Sequence, residues 1–271
     1  MIDSSVQSYP ISGLTIILTV FVIAIITERF LPYKEEWNKN QGDLITDILQ
    51  SQVILPIMSK LGELAIFALV AWLASQYGSL KALEGQPFWL RFIVFTLVAE
   101  LVYYWVHRLA HTIRLFWRFH AVHHGSGRVY WANSARFNFV EGFFSNFFYV
   151  MPFAVMGATP KEIALFYTLT ATTGLFEHVN IDFKGRYLNY VFNTAHLHRW
   201  HHSVNMKETN TNYGKILATW DLVFGTWFLP KDREVGDVGI RMTRPVPNSV
   251  WQQTIYPFTD ISLEAAKKYE S

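Results

Sequence analysis

A chain of 271 residues in which 51% are hydrophobic, 17% aromatic and only 16% charged carries too little charge for an ordinary water-soluble domain, where about 25% is usual. Its net charge of +2 is small and dispersed, which excludes the electrostatic footprint of a nucleic-acid-binding protein. The chain has no cysteine, which excludes disulfides, thiolate metal sites and cysteine-ligated iron–sulfur clusters: any metal is held by nitrogen and oxygen, and any electrons come from outside.

The first apolar run, residues 11–26, ends at Glu28-Arg29 with no small-residue cleavage site after it, so it reads as a retained membrane helix rather than a signal peptide. A second, 53–72, is interrupted by Lys60 and Glu63, and a third, 88–106, carries Arg91 and Glu100 and leads straight into a pair of histidines. A fourth and fifth, 139–156 and 162–176, are separated by Gly157-Ala158-Thr159-Pro160, the punctuation of a helical hairpin. Spanning a bilayer takes about 20 residues, so these last two are short for a full crossing and suit a shallow hairpin. The expectation is an all-α polytopic membrane protein of about five apolar helices, within a range of four to six. It forms one membrane-integrated domain, with N-terminal membrane helices over 11–76, a core over about 90–230 and a tail, 231–271, without a chemical motif. Lys and Arg concentrate in 29–50, 107–138 and 178–271, whereas the opposite loops offer little beyond Lys81 and Lys161. The positive-inside rule therefore puts 107–138 and 178–230 together as a cytoplasmic, histidine-rich helical cap, in a bacterial inner membrane or the endoplasmic reticulum.

All ten histidines lie between His107 and His202, as HRLAH at 107–111, HAVHH at 120–124, HLHRWHH at 196–202 and His178 alone. In a helix, positions i, i+3 and i+4 share a face, so His107 with His111, His120 with His123 and His124, and His198 with His201 and His202 each aim at a common point. Adjacent members diverge toward two points. His178, where the fifth run ends, supplies a ninth ring, and His196, on another face, is the bystander. Nine imidazoles exceed the needs of one ion and suit two octahedral ones with room for oxygen or water. A zinc hydrolase would use about three protein ligands. A metal transporter, the reading from another functional class, would set its donors near the bilayer midplane, whereas these flank the apolar runs.

HRLAH, HAVHH and HRWHH, followed by NTNYG at 210–214 and WDLVFGT at 220–226, resemble the fatty acid hydroxylase superfamily, also called the sterol desaturase family, over roughly residues 90–230. That resemblance implies a membrane-embedded non-haem di-iron monooxygenase. It implies two iron ions bound by His107, His111, His120, His123, His124, His198, His201 and His202, with His178 matching the isolated histidine between the second and third boxes and Asn180, directly or through water, as the tenth position. It also implies dioxygen as co-substrate and electrons from a partner such as cytochrome b5 or ferredoxin with its reductase. The substrate would be a membrane lipid of the sterol, fatty acyl, alkylglycerol or carotenoid class, hydroxylated or, on the same site, desaturated. Zinc, which binds imidazole more tightly than ferrous iron, is a natural contaminant of isolated protein.

Glu177, Asp182, Asn210, Asn212 and Asp221 lie near the boxes as candidates to hold the far nitrogen of a ligand ring, or else as turn and cap residues. Phe139, Phe143, Phe144, Phe147, Phe148 and Tyr149 suit a lipid tunnel or plain packing. Trp105, Trp117, Trp200, Trp220 and Trp227 suit the membrane boundary. Arg108, Arg114, Arg118 and Arg199 suit an acidic electron donor or lipid headgroups.

Overall fold

Among the described residues, three helices are long and apolar enough to cross a bilayer. The computed structural model describes residues 4–79, 81, 83–241 and 245–262, with side chains from residue 13 onward; the end of the expected tail falls outside these. Helix α1 spans Ser4–Phe30. Helix α2, Leu44–Leu49, runs through a wide π-turn at Gln50–Ile54 into α3, Leu55–Tyr77, giving one continuous rod over Leu44–Tyr77. Pro56 explains that turn: it has no N–H to donate and its ring crowds the carbonyl four residues back, so the helix widens just before it. Helix α4 is Phe88–Thr112.

At Ile113 the backbone becomes extended (φ −100°, ψ 118°) before α5, Arg114–His124. Helix α6 is Phe139–Val155, and α7, Pro160–His178, starts with proline in its first turn and a reciprocal cap between Thr159 and Glu162. Short helices follow: α8 (Ala195–His201), α9 (Met206–Thr209), α10 (Thr219–Phe224) and α11 (Val250–Ile255). Among the described residues, strand pairing is limited to three isolated bridges. The expected all-α architecture is the observed one, with three candidate membrane helices and α6 as a shorter apolar one. Helix α7 has the length for a crossing, but Thr168, Thr170, Thr172 and Thr173 dilute its apolar character.

Helix α6 packs against α3 and α4, and α7 against α1. Their shared core is aromatic: Phe95 of α4, Tyr149 and Phe153 of α6, and Phe166 of α7 are all buried. The outer faces are the reverse of a soluble protein's. Leu14, Leu18 and Ile23 of α1 and Leu64 and Trp72 of α3 are exposed, and only 11% of each of these two spans is buried. Apolar surface on that scale calls for lipid, so this is an integral membrane protein.

The end of α1, the start of α2 and the C-terminal end of α4 meet on one side, where polar loops lock together. Arg128 pairs with Asp43 at 2.6 Å and Arg136 with Asp47 at 3.1 Å, all four buried. Losing one partner of such a pair costs about 3–5 kcal/mol, because the other charge stays buried. Glu28 of α1 accepts the backbone N–H groups of Trp131 (2.8 Å) and Asn180 (2.6 Å). These ties fix the 127–136 loop and the end of α7 against α1 and the start of α2.

Candidate metal centre

The break at Ile113 turns α5 back beside α4, and α8 packs against the end of α7. Nine histidines converge there in two groups. His107, His111, His120, His124 and His201 each bring one ring nitrogen to within 4.8 Å of the others, and His123, His178, His198 and His202 do the same. All nine are buried. The groups adjoin, because the neighbours His123 and His124, and likewise His201 and His202, point to opposite groups. His124 and His202 stack across the boundary with ring centroids 4.3 Å apart.

Hydrogen bonds on the far side of several rings fix which nitrogen carries the proton. His107 Nδ1 donates to the Tyr213 carbonyl (2.8 Å) and His201 Nδ1 to the Thr211 carbonyl (2.8 Å). His120 Nδ1 is held by the Glu141 carboxylate. His178 Nδ1 donates to Asn133 Oδ1 (2.8 Å), an oxygen that also accepts the Tyr130 N–H. With those protons on Nδ1, each Nε2 presents a lone pair inward. His107 Nε2 and His120 Nε2 then face one another at 3.1 Å, two lone pairs in contact, an arrangement a cation between them turns from repulsive to attractive. His111 has no hydrogen-bond partner at either nitrogen, nor does His201 at Nε2. Burial and mutual repulsion hold His123, His124, His198 and His202 well below the usual imidazole range, and His201 is pushed down to about 3 by burial. Neutral imidazole is the metal-binding form.

The spacing suits shared ions. With a metal–nitrogen bond of about 2.1 Å, ligands at a right angle stand about 3.0 Å apart and ligands at the tetrahedral angle about 3.4 Å. The inward Nε2 pairs lie at 3.1 Å (His107–His120), 3.1 Å (His120–His124), 2.9 Å (His178–His198) and 3.0 Å (His198–His202). These separations are short enough for the rings of each group to share one ion.

The residues nominated to back the ligands are placed elsewhere. Glu177 accepts from Asn193 Nδ2 (2.7 Å) and pairs with Lys215 at 3.5 Å. Asp182 is exposed and lies near Lys184 at 3.6 Å. Asn212, in the left-handed region at φ 53°, fastens the backbone of Leu197 and Phe228. Asn210 leaves its buried Oδ1 without a partner. Asp221 accepts the N–H groups of Tyr213 (2.8 Å) and Gly214 (2.7 Å) and the Thr226 hydroxyl (2.6 Å), so it reaches His107 only through the Tyr213 carbonyl. Asn180, the expected tenth donor, accepts the Lys34 N–H at Oδ1 and donates from Nδ2 to Lys34 and Asn38, which ties its amide into the α1–α2 connection. His196 joins neither group, and its Nδ1 donates to the Lys184 carbonyl at 2.7 Å. Arg199 is corrected as a docking residue. It is buried over the Tyr33 ring at 4.0 Å, its guanidinium donates to the Ile181 carbonyl, and burial pulls its pKa down to about 10. Trp117 and Trp200 are buried rather than at a boundary, and Tyr149 donates to the buried Glu100.

The sequence reading missed Glu141 and Asn133, the two side chains that do hold ligand rings. Glu141 had a legible signal, a lone carboxylate in the apolar run of α6. Its Oε2 is buried and has no partner.

Comparison with known proteins agrees with this site. The profile of the fatty acid hydroxylase family matches residues 92–226. The chain is 34% identical to the ornithine lipid hydroxylase OlsE of Rhizobium tropici over 89% of its own length and 73% of that protein. It is 28% identical to the alkylglycerol monooxygenase of Xenopus tropicalis over 79% of its length, spanning about half (47%) of that relative. It is 24% identical to a Delta(7)-sterol 5(6)-desaturase of Gibberella zeae over 82% of its length and 63% of the relative. No solved structure matches it. This similarity, with two adjoining histidine groups able to hold metals beside helices built for a membrane, places this chain in the fatty acid hydroxylase family of membrane di-iron oxygenases.

Proposed function

We propose that the five-histidine and four-histidine groups each hold one iron ion and that the protein uses dioxygen to hydroxylate an alkyl C–H bond of a membrane lipid. The observation that carries this reading is the pair of adjoining, buried groups, each with its ring nitrogens within 4.8 Å of one another. An alkyl C–H bond offers no polarity to acid–base chemistry, and the bound irons supply the oxidising power that breaks it.

The chain's own residues do the rest. The Tyr213 and Thr211 carbonyls, Glu141 and Asn133 keep protons on Nδ1, so that Nε2 lone pairs stay aimed inward. Phe137 lies parallel to the His123 ring, centroids 4.6 Å apart, and helps close the four-histidine group to water. Because α4 carries His107 and His111 at the end of a membrane helix, a lipid chain reaches the site from the bilayer. The similarity to an ornithine lipid hydroxylase favours an acyl chain of an amino-acid-containing lipid as substrate, ahead of the alkylglycerol ether chain or a sterol. The concentration of Lys and Arg on the histidine side supports a cytoplasmic site, in a bacterial inner membrane or the endoplasmic reticulum. There an external protein of the cytochrome b5 or ferredoxin type, with its reductase, supplies electrons.

The test is purified protein loaded with two irons, given dioxygen labelled with heavy oxygen, a chemical reductant and vesicles of ornithine lipid, alkylglycerol or sterol. The expected product gains one labelled oxygen atom. Loss of two hydrogens instead would make the protein a desaturase. No product from any lipid at full iron loading, together with ready metal exchange and flux in proteoliposomes, would replace the enzyme with a transporter.

A further inference from the structure

The charge pattern places everything after His178 in water, but the structure puts part of it beside the middle of α4. The indole N–H of Trp220, on α10, donates to the Leu97 carbonyl at 3.1 Å. The backbone N–H groups of Ile216 and Leu217 both donate to Glu100 at 2.9 Å. Phe224 stacks on Tyr104 with centroids 5.0 Å apart, and the Thr226 and Tyr104 hydroxyls are 3.0 Å apart. At a rise of about 1.5 Å per residue, Leu97 lies about 14 Å from the Phe88 end of α4 and about 22 Å from the Thr112 end. That is well inside a hydrocarbon layer of about 30 Å.

Irregular backbone survives at that depth only when its polar groups find protein partners. Here they do. The Tyr213 and Gly214 N–H groups go to Asp221, those of Ile216 and Leu217 to Glu100, and that of Ala218 to the Val191 carbonyl, while the Asn193 N–H meets the Ile216 carbonyl. A buried carboxylate within a membrane helix, otherwise expensive, thus has a structural task. The outer face is the opposite: Val191, Phe192, Leu222, Val223 and Phe224 are exposed, Val223 by 62%.

We propose that residues 190–193 and 214–226 form a re-entrant wedge inserted in the bilayer beside α4, its outer face covered by lipid acyl chains. The surface is continuous with α4, a membrane helix, and apart from Asn193 Oδ1 the inner groups named above are paired as lipid immersion demands. Since Tyr213 directly precedes the wedge and its carbonyl holds His107, lipid chains lie next to an element that supports the five-histidine group.

The native chain has no cysteine, so single nitroxide labels report position directly. Full-length V223C and L222C would be labelled in phosphatidylcholine vesicles, with V22C on the exposed face of α1 as lipid reference and D182C as water reference. Power saturation would measure collisions with dioxygen and with a water-soluble nickel chelate. The expected result is that both wedge labels follow V22C, with dioxygen collisions severalfold above nickel ones. Nickel accessibility equal to that of D182C would overturn the proposal, and low accessibility to both reagents would overturn it in favour of a protein surface. Metal content equal to that of the cysteine-free parent confirms that each labelled chain is folded.

Discussion

The two histidine groups draw on the same boxes yet are not equivalent. The five-histidine group takes both rings of α4, and its His120 is backed by the Glu141 carboxylate, with backbone carbonyls behind His107 and His201. The four-histidine group takes the single ring of α7, and His178 is backed by the neutral amide of Asn133. A carboxylate behind an imidazole makes it a more basic ligand. The difference teaches that a repeated motif need not make repeated sites: the first group offers five donors, one backed by a carboxylate, and the second four, one backed by an amide.

That contrast can be broken directly. His198→Ala leaves three histidines in the smaller group and is expected to reduce iron from two per chain to one and to abolish hydroxylation, measured by metal analysis and product mass. His111→Ala leaves four in the larger group and should retain both ions at saturating iron, with activity reduced but measurable. Equal metal loss in the two variants would erase the distinction. Next in size, Glu141→Gln should weaken one of the two binding events by about 10–100-fold in a metal titration, and Asn133→Ala should weaken the other by an amount nearer the low end of that range. If Glu141→Gln affects both events alike, the carboxylate is not private to one group. Asp221→Asn should lower activity about tenfold with both ions in place, because it loosens Tyr213 one step behind His107, and rescue by Asp221→Glu would argue against that geometric role. The smallest effect belongs to His196→Ala, expected to keep metal content and activity within about twofold of the parent.

Much of this was legible in the sequence. The apolar runs marked α1, α3, α4 and α6 because a bilayer tolerates few charges, and box spacing singled out the histidines because helical periodicity is local. What escaped was non-local. Asp182, near a box in sequence, lies on the surface, whereas Glu141, 21 residues from His120, touches its ring. Nor did the sequence show that the Asn180 amide is tied to Lys34 and Asn38. Glu100 stood out only as a charge carried by a membrane helix, and its partners lie in a loop more than a hundred residues later. Side chains chosen for tertiary partners carry no periodic signature.

The split of His123 from His124, and of His201 from His202, has a mechanical side. Each short helix, α5 and α8, acts as a yoke harnessed to both groups, so turning either one about its axis moves donors of the two groups together. Filling one group therefore stiffens three of the five, or three of the four, donors of the other before its own ion arrives, so the second iron is expected to bind more tightly than it would alone.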